Sequence, residues 1–500
     1  MLGQSASTTN EPLSFVLSRW LFLKLLGLVY LIAFGSLVPQ LTGLVGTNGL
    51  LPIEQYLERS YALLGTEAYS QLPTLLWLWP SDIGLLSACV LGLATAIVAI
   101  VGFAPILSFA TLWLLYLSLV IAGQDFLSFQ WDALLLEAGL LAVFYSPLAW
   151  RPSLPAQKQP SAAARWMIWG LAFKLTFLSG VTKLLSGDET WRTLSALQYH
   201  YETQPLPTVV SWYVHNAPDW FGLASIVLMF VIEIMVPFVI FLPTNFRRIR
   251  TAGCALLCLL QLFIALTGNY GFFNVLTIVL YLSLLDDHIV AVVLPRHIST
   301  PGPSHEKPQL PQKVWSVAIA GVTITLAVLS ALSLVREIRR PQPMPAWSTS
   351  MLSLVAPLRS INGYGLFRTM TTERPEIVIE GSSNGVTWHE YEFKWKVGNV
   401  TTAPSFVQPH MPRLDWQMWF AALSPRQQSH WLIPLAERLR DNDPGALSLI
   451  NANPFSDDRA LFVRLSMYRY TFTTMEESKN GTWWKREFLG HLTDPIAGFP

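Results

Sequence analysis

The sequence predicts an α-helical membrane bundle of about nine spans, followed by a soluble C-terminal α+β domain. Three observations predict it. The chain of 500 residues is 52% hydrophobic and only 13% charged, about half the charged share of ordinary soluble proteins. Its mean hydropathy is +0.40. Apolar runs approaching the ~20 residues needed to cross a bilayer recur as far as Val335, and the composition turns polar after Arg336.

The candidate spans are Trp20–Val45, Ile83–Gly102, Pro105–Ala122, Trp131–Pro147, Arg165–Lys183, Trp220–Pro243, Ala252–Thr267, Phe272–Leu294 and Val314–Val335. The fourth and seventh are short and read as partly re-entrant. The first is longer than the ~7–15 apolar residues of a signal core, so it reads as a retained anchor. Orientation follows from the basic residues of the short loops. Arg151, Lys158 and Arg165 form one cluster, Arg247, Arg248 and Arg250 a second, and Arg296, Lys307 and Lys313 a third. With the N-terminus inside, all three fall on the cytoplasmic side. Thr47–Asp82, Leu184–Asp219 and everything after Arg336 then fall outside.

The division expected is a transmembrane domain over 1–338, a proline-rich linker over 339–346 and an extracytoplasmic α+β domain over 347–500. In the last, Glu376–Glu380 and Thr387–Val397 read as a hairpin around Ser383-Asn-Gly385. Ser424-Pro425 and Asp443-Pro444 carry helix-start signals. Val463–Thr473 and Trp483–Leu489 return to strand character.

Ionisable groups at membrane depth face a bundle interior or a cavity. Asp132, Glu137, Lys174, Lys183 and Glu233 qualify. At ~100° per residue, Asp132 and Glu137 point to different faces, while Gln130 shares a face with Glu137. Matching depths predict two ion pairs, Asp132 with Lys183 and Glu137 with Lys174. These are either structural locks or a proton-handling or substrate site. His200, Glu202, Gln204 and His215 form a polar outer loop whose spacing fits no compact zinc pattern, so no metal is expected. Asn269 and Asn274 mark a polar turn between spans, suited to a re-entrant break. Trp416, Trp419 and Phe420 offer an aromatic client-binding surface or ordinary core. Cys89, Cys254 and Cys258 lie inside apolar runs and read as core residues. The near-zero net charge of +1 gives no reason to expect a nucleic-acid partner. No P-loop, GxSxG, HExxH or GxGxxG signature is present, and no cofactor is expected.

Five ordered segments resemble the lipase maturation factor family: Gly123–Gly139, Tyr199–Pro207, Gly268–Ile278, Leu414–Leu423 and Leu449–Phe455. The resemblance implies a polytopic membrane protein that assists folding of secreted lipases, resident in the endoplasmic reticulum in animals. It places client binding in the C-terminal domain. That domain has no cysteine here, so it cannot work by thiol exchange. A shorter stretch, Phe177–Trp191, is similar to vitamin K-dependent gamma-carboxylase, which would cast Lys183 as a catalytic base on a lipid or quinone-like substrate. The first reading is therefore a maturation factor rather than an enzyme, with membrane lipid and an exported client, expected to be a lipase, as partners. The carboxylase-like enzyme is the alternative, and a scaffold role is a third.

Overall fold

The computed structural model describes residues 13–154, 157–243, 246–294, 312–455 and 459–497. The N-terminal part is a helical bundle. Its main helices are α1 (Val16–Leu37), the amphipathic α2 (Ile53–Leu64), α3 (Asp82–Val101), α4 (Pro105–Ala122), α5 (Gln130–Tyr145), α6 (Ala162–Leu185), the short α7 (Ala196–Thr203), α8 (Asp219–Phe230), α9 (Arg247–Thr267), α10 (Phe273–Leu282) and α11 (Gln312–Arg339). Among the described residues, seven helices are long and apolar enough to cross a membrane. They are α1, α3, α4, α6, α8 with its continuation to Phe241, α9 and α11. The shorter α5 and α10 complete the nine runs expected from sequence. The seventh run is a full helix because it begins at Arg247, five residues before the apolar stretch.

Helix α1 sits centrally: Leu26, Val29, Tyr30, Ala33 and Phe34 are fully buried. It packs on α3, α5 and α10, and α4 packs on α5. Close approach of α1 and α5 depends on Gly139, where a Cβ would overlap the Tyr30 hydroxyl. That hydroxyl donates to the Leu135 carbonyl at 3.1 Å.

One end of the bundle gathers the N-terminus of α1 and basic residues. Arg19 donates to Gln157 and to the Lys158 carbonyl. Arg165 and Arg250 lie over the Phe15 ring. Arg296 and Lys307 lie outside the described residues, and Lys313 lies in α11. The other end carries the C-terminal domain.

After α11 and a short proline-containing turn, α12 (Ala346–Val355) leads into that domain. Its strands are β1 (Arg374–Ser382), β2 (His389–Glu390), β3 (Glu392–Phe393), β4 (Ile450–Ala452), β5 (Phe462–Phe472), β6 (Trp484–His491) and β7 (Ile496–Ala497). The main antiparallel sheet runs β2-β1-β5-β6, with β7 also on β5. The segment expected as one long strand over 387–397 instead breaks at Tyr391: β2 joins the main sheet and β3 pairs with β4. The break turns the Tyr391 hydroxyl onto the Leu439 carbonyl at 3.1 Å. Helices α13 (Arg413–Leu423) and α14 (Pro425–Arg440) cover the sheet. Helix α13 therefore lies between sheet and bundle, buried nearly all round.

Gly139→Val is expected to destabilise the bundle by about 1–3 kcal/mol, the usual cost of overpacking. Thermal unfolding of the purified full chain in detergent measures it, with Gly170→Val, where a Cβ meets nothing within 4 Å, as the tolerated control.

Candidate functional site

The seam between bundle and C-terminal domain concentrates the buried charge. Arg413, the first residue of α13, is fully buried, as is Asp132 on the first turn of α5. The guanidinium grips the carboxylate with both arms, Nη1 to Oδ2 at 2.5 Å and Nη2 to Oδ1 at 2.8 Å. The Tyr116 hydroxyl donates to the same carboxylate at 2.6 Å. A bidentate pair of this kind is both strong and directional. Asp132 therefore does not pair with Lys183 as depth matching suggested. Its partner comes from a domain 281 residues further along the chain, which a comparison between two neighbouring spans could not include.

Glu137, one and a half turns deeper, does meet Lys174, at 2.5 Å. Its second oxygen accepts from the Tyr364 hydroxyl at 2.8 Å and from the Asn362 backbone N–H at 3.2 Å. Gln130, on the same face, accepts from the Gly365 N–H at 3.3 Å. The segment after α12 is thus threaded onto the polar face of α5.

Lys183 is held by Glu233, donating to its two oxygens at 3.1 and 2.8 Å. Glu233 sits in a π turn, Val231–Met235. Pro237 lies four residues on and has no N–H to give to the Glu233 carbonyl, which favours a wider turn there. Gly180 lets the turn approach α6, since a Cβ would press on Ile234 and Glu233. The amine that the carboxylase resemblance casts as a base is therefore committed to a neighbouring carboxylate.

The polar loop is divided between partners. His200 Nε2 lies 3.2 Å from the Tyr270 hydroxyl, which donates to Gln204 Oε1 at 2.8 Å. Burial pushes His200 down to about 3, with the Lys183 charge adding to the effect, so it is neutral. Glu202 turns to the C-terminal domain and accepts from the Phe472 N–H at 2.5 Å; His215 lies 3.8 Å from the same oxygen. The two histidines therefore do not converge on one point. Asn269 joins the two parts directly: its amide donates to the Ser405 carbonyl at 2.8 Å and accepts from the Val407 N–H at 2.8 Å. Asn274 stays within the bundle, donating to Gln261 Oε1 at 3.0 Å.

Trp416 and Trp419 are 3% and 7% exposed. Trp416 packs edge-on against Trp131 at 4.7 Å and donates to the Asn269 carbonyl at 3.2 Å. Trp419 donates to the Thr203 carbonyl at 2.8 Å. Both therefore belong to the seam rather than to a client surface, and only Phe420, 36% exposed, reaches the outside. Sequence reasoning missed Arg413 and Tyr364. The buried, nearly unbroken pattern Leu414-Asp-Trp-Gln-Met-Trp419 was the available signal for a helix covered on both sides.

The lipase maturation factor transmembrane domain matches residues 17–292, and the family's C-terminal domain matches residues 360–494. The chain belongs to the lipase maturation factor family. It is 37% identical to chicken (Gallus gallus) lipase maturation factor 2, over 96% of this chain and 81% of that protein. It is 35% identical to bovine (Bos taurus) lipase maturation factor 1, over 99% of this chain and 92% of that protein. The human (Homo sapiens) lipase maturation factor 2 is 34% identical, over 96% and 83%. No solved structure matches. The two family regions lie on either side of the seam, and the residues that join them, Asp132, Glu137, Asn269, Tyr364 and Arg413, all fall inside one or the other.

Arg413→Ala leaves a buried carboxylate unpaired and is expected to cost about 3–5 kcal/mol, whereas Asp132→Asn/Arg413→Met together recover most of the loss. Thermal unfolding of the three proteins checks this. Asp415, also on α13, faces the sheet side and accepts from the Trp395 and Lys396 N–H groups. Burial nevertheless raises its carboxyl from 3.8 to about 6. The folded state then holds this proton more tightly than the unfolded one, so its contribution to stability is full below about 4 and is lost as pH rises through about 6. Asp415→Asn, which keeps the acceptor oxygen, is expected to flatten the stability profile between pH 4 and 7, read from unfolding midpoints across that range.

Proposed function

We propose that this member of the lipase maturation factor family is a membrane-held maturation factor whose C-terminal domain engages an exported client, with a lipase as the expected class. The reading has three supports. The relatives carry the name lipase maturation factor. The described basic clusters gather at the bundle end away from the C-terminal domain, which favours an extracytoplasmic domain by the positive-inside rule. The third observation carries the proposal. Strand β6 is an edge of the sheet, paired among the described strands with β5 alone and tied at its first residue, Trp484, to the Val400 carbonyl, and it exposes Phe488 at 50% and Leu489 at 45%.

An open edge with apolar side chains is a template for adding a strand from another chain, which folded proteins otherwise protect. A folding client presents such extended segments. The seam holds this edge at fixed orientation to the membrane, so a client threading out of the bilayer meets it in one geometry.

Phe488→Lys on the exposed edge is expected to lower the secreted activity of a co-expressed lipase by roughly fivefold, the loss of one anchor of about 1 kcal/mol. Membrane levels of the variant serve as the control for folding. Unchanged lipase activity at equal levels would sink the edge-strand reading.

A further inference from the structure

A cavity of about 450 Å³ lies between α6, α7, α8, α9 and α10, within the ~300–1,000 Å³ of small-ligand sites. Its wall is mostly apolar. Leu228 on α8 and Leu259 on α9 line it and are 58% and 59% exposed. Both helices are long and apolar enough to cross a membrane, so the surface outside these two leucines faces acyl chains. Whatever enters by this route comes from the bilayer.

The inner end is polar and has no net charge. Lys183 and Glu233 are the charged residues of its lining, and they compensate each other. Lys183 has three N–H groups. Glu233 takes its bonds at 3.1 and 2.8 Å, which leaves the remaining N–H to the Trp191 ring, whose centroid lies 5.5 Å from the ammonium, and to whatever fills the cavity. His200, whose Nε2–H is committed to the Tyr270 hydroxyl, has a buried Nδ1 acceptor without a partner. The Tyr201 hydroxyl, a donor, also lacks one. Both residues line the same cavity. Buried polar atoms without partners are uncommon in folded proteins, and each calls for an explanation. The π turn that carries Glu233 is a form often found at functional sites.

We propose that this cavity binds one uncharged acylglycerol-type lipid drawn from the bilayer. Its hydroxyl and ester carbonyl lie toward Lys183, His200 and Tyr201, and an acyl chain passes between Leu228 and Leu259. The polar groups fit such a head: a carbonyl accepts from the spare Lys183 N–H, and a hydroxyl both donates to an imidazole nitrogen and accepts from a phenol. A carboxylate or phosphate head would place a second anion beside Glu233 with one ammonium between them. Binding involves no bond-making step. It also stands apart from the client reading, since the cavity and β6 share no residue.

The test uses the full-length protein reconstituted in nanodiscs with three photoactivatable probes of equal chain length: a diacylglycerol, a phosphatidylcholine and a free fatty acid. The diacylglycerol is expected to label peptides of α8 and α9. Leu259→Trp and Leu228→Trp, which narrow the entrance, are each expected to cut that labelling by roughly fivefold, the effect of about 1 kcal/mol. Leu262→Trp, on the same helix but outside the cavity lining, is expected to leave it unchanged. Unfolding midpoints confirm that each variant is folded. Equal labelling by phosphatidylcholine, stronger labelling by the fatty acid, or labelling insensitive to both entrance variants would each overturn the proposal.

Discussion

A charge surrounded by apolar side chains must find its opposite, and in this protein the opposite of Asp132 is supplied by the other domain. Arg413 closes on it with two hydrogen bonds, and neither side chain is more than 1% exposed. Each partner without the other would be a buried ion with nothing to compensate it, a loss of several kcal/mol. The contact therefore fixes where α13 must lie. Because α13 also forms the underside of the C-terminal sheet, it fixes where the sheet lies too.

The other polar residues of the seam follow from that placement. Glu137 organises a second layer below, holding Lys174 from the bundle and Tyr364 and Asn362 from the segment that follows α12. Asn269 satisfies backbone groups of both parts, the Leu206 carbonyl in the bundle and Ser405 and Val407 in the C-terminal domain, at a turn that would otherwise leave them bare. Tryptophans that looked like a sticky surface fill the space between these layers, each with its indole N–H satisfied. The consequence for function is geometric: an open strand edge in the C-terminal domain is carried at a fixed attitude to the bundle, not on a loose tether.

Much of this was legible in the sequence, for reasons specific to each element. Apolar runs located the bundle helices, seven of them among the described residues long and apolar enough to cross a membrane, because hydrocarbon imposes length and composition together. The Glu137–Lys174 pair followed from depth, since both helices span the same slab. The same logic mispaired Asp132 with Lys183, because depth within the bundle carries no information about a side chain arriving from outside it. Glu233 was visible as an ionisable residue, but its partnership with Lys183 rests on a π turn that only the Glu233–Pro237 spacing and Gly180 hint at. In the C-terminal domain, clean alternation over 387–397 read as one strand. The chain instead changes sheets at Tyr391, a choice made by packing against α14 and not by the alternation itself.

Bundle and C-terminal domain form one mechanical unit through α13. Hydrogen exchange on the intact protein in detergent reads this out, because amides that open together report a shared cooperative unit. The amides of Arg413–Leu423 are expected to open with the same free energy as those of Gln130–Tyr145, and Asp132→Asn is expected to lower both together. Exchange of Arg413–Leu423 at the rate of the outer sheet, with Gln130–Tyr145 unaffected by the substitution, would mean that the two parts open independently.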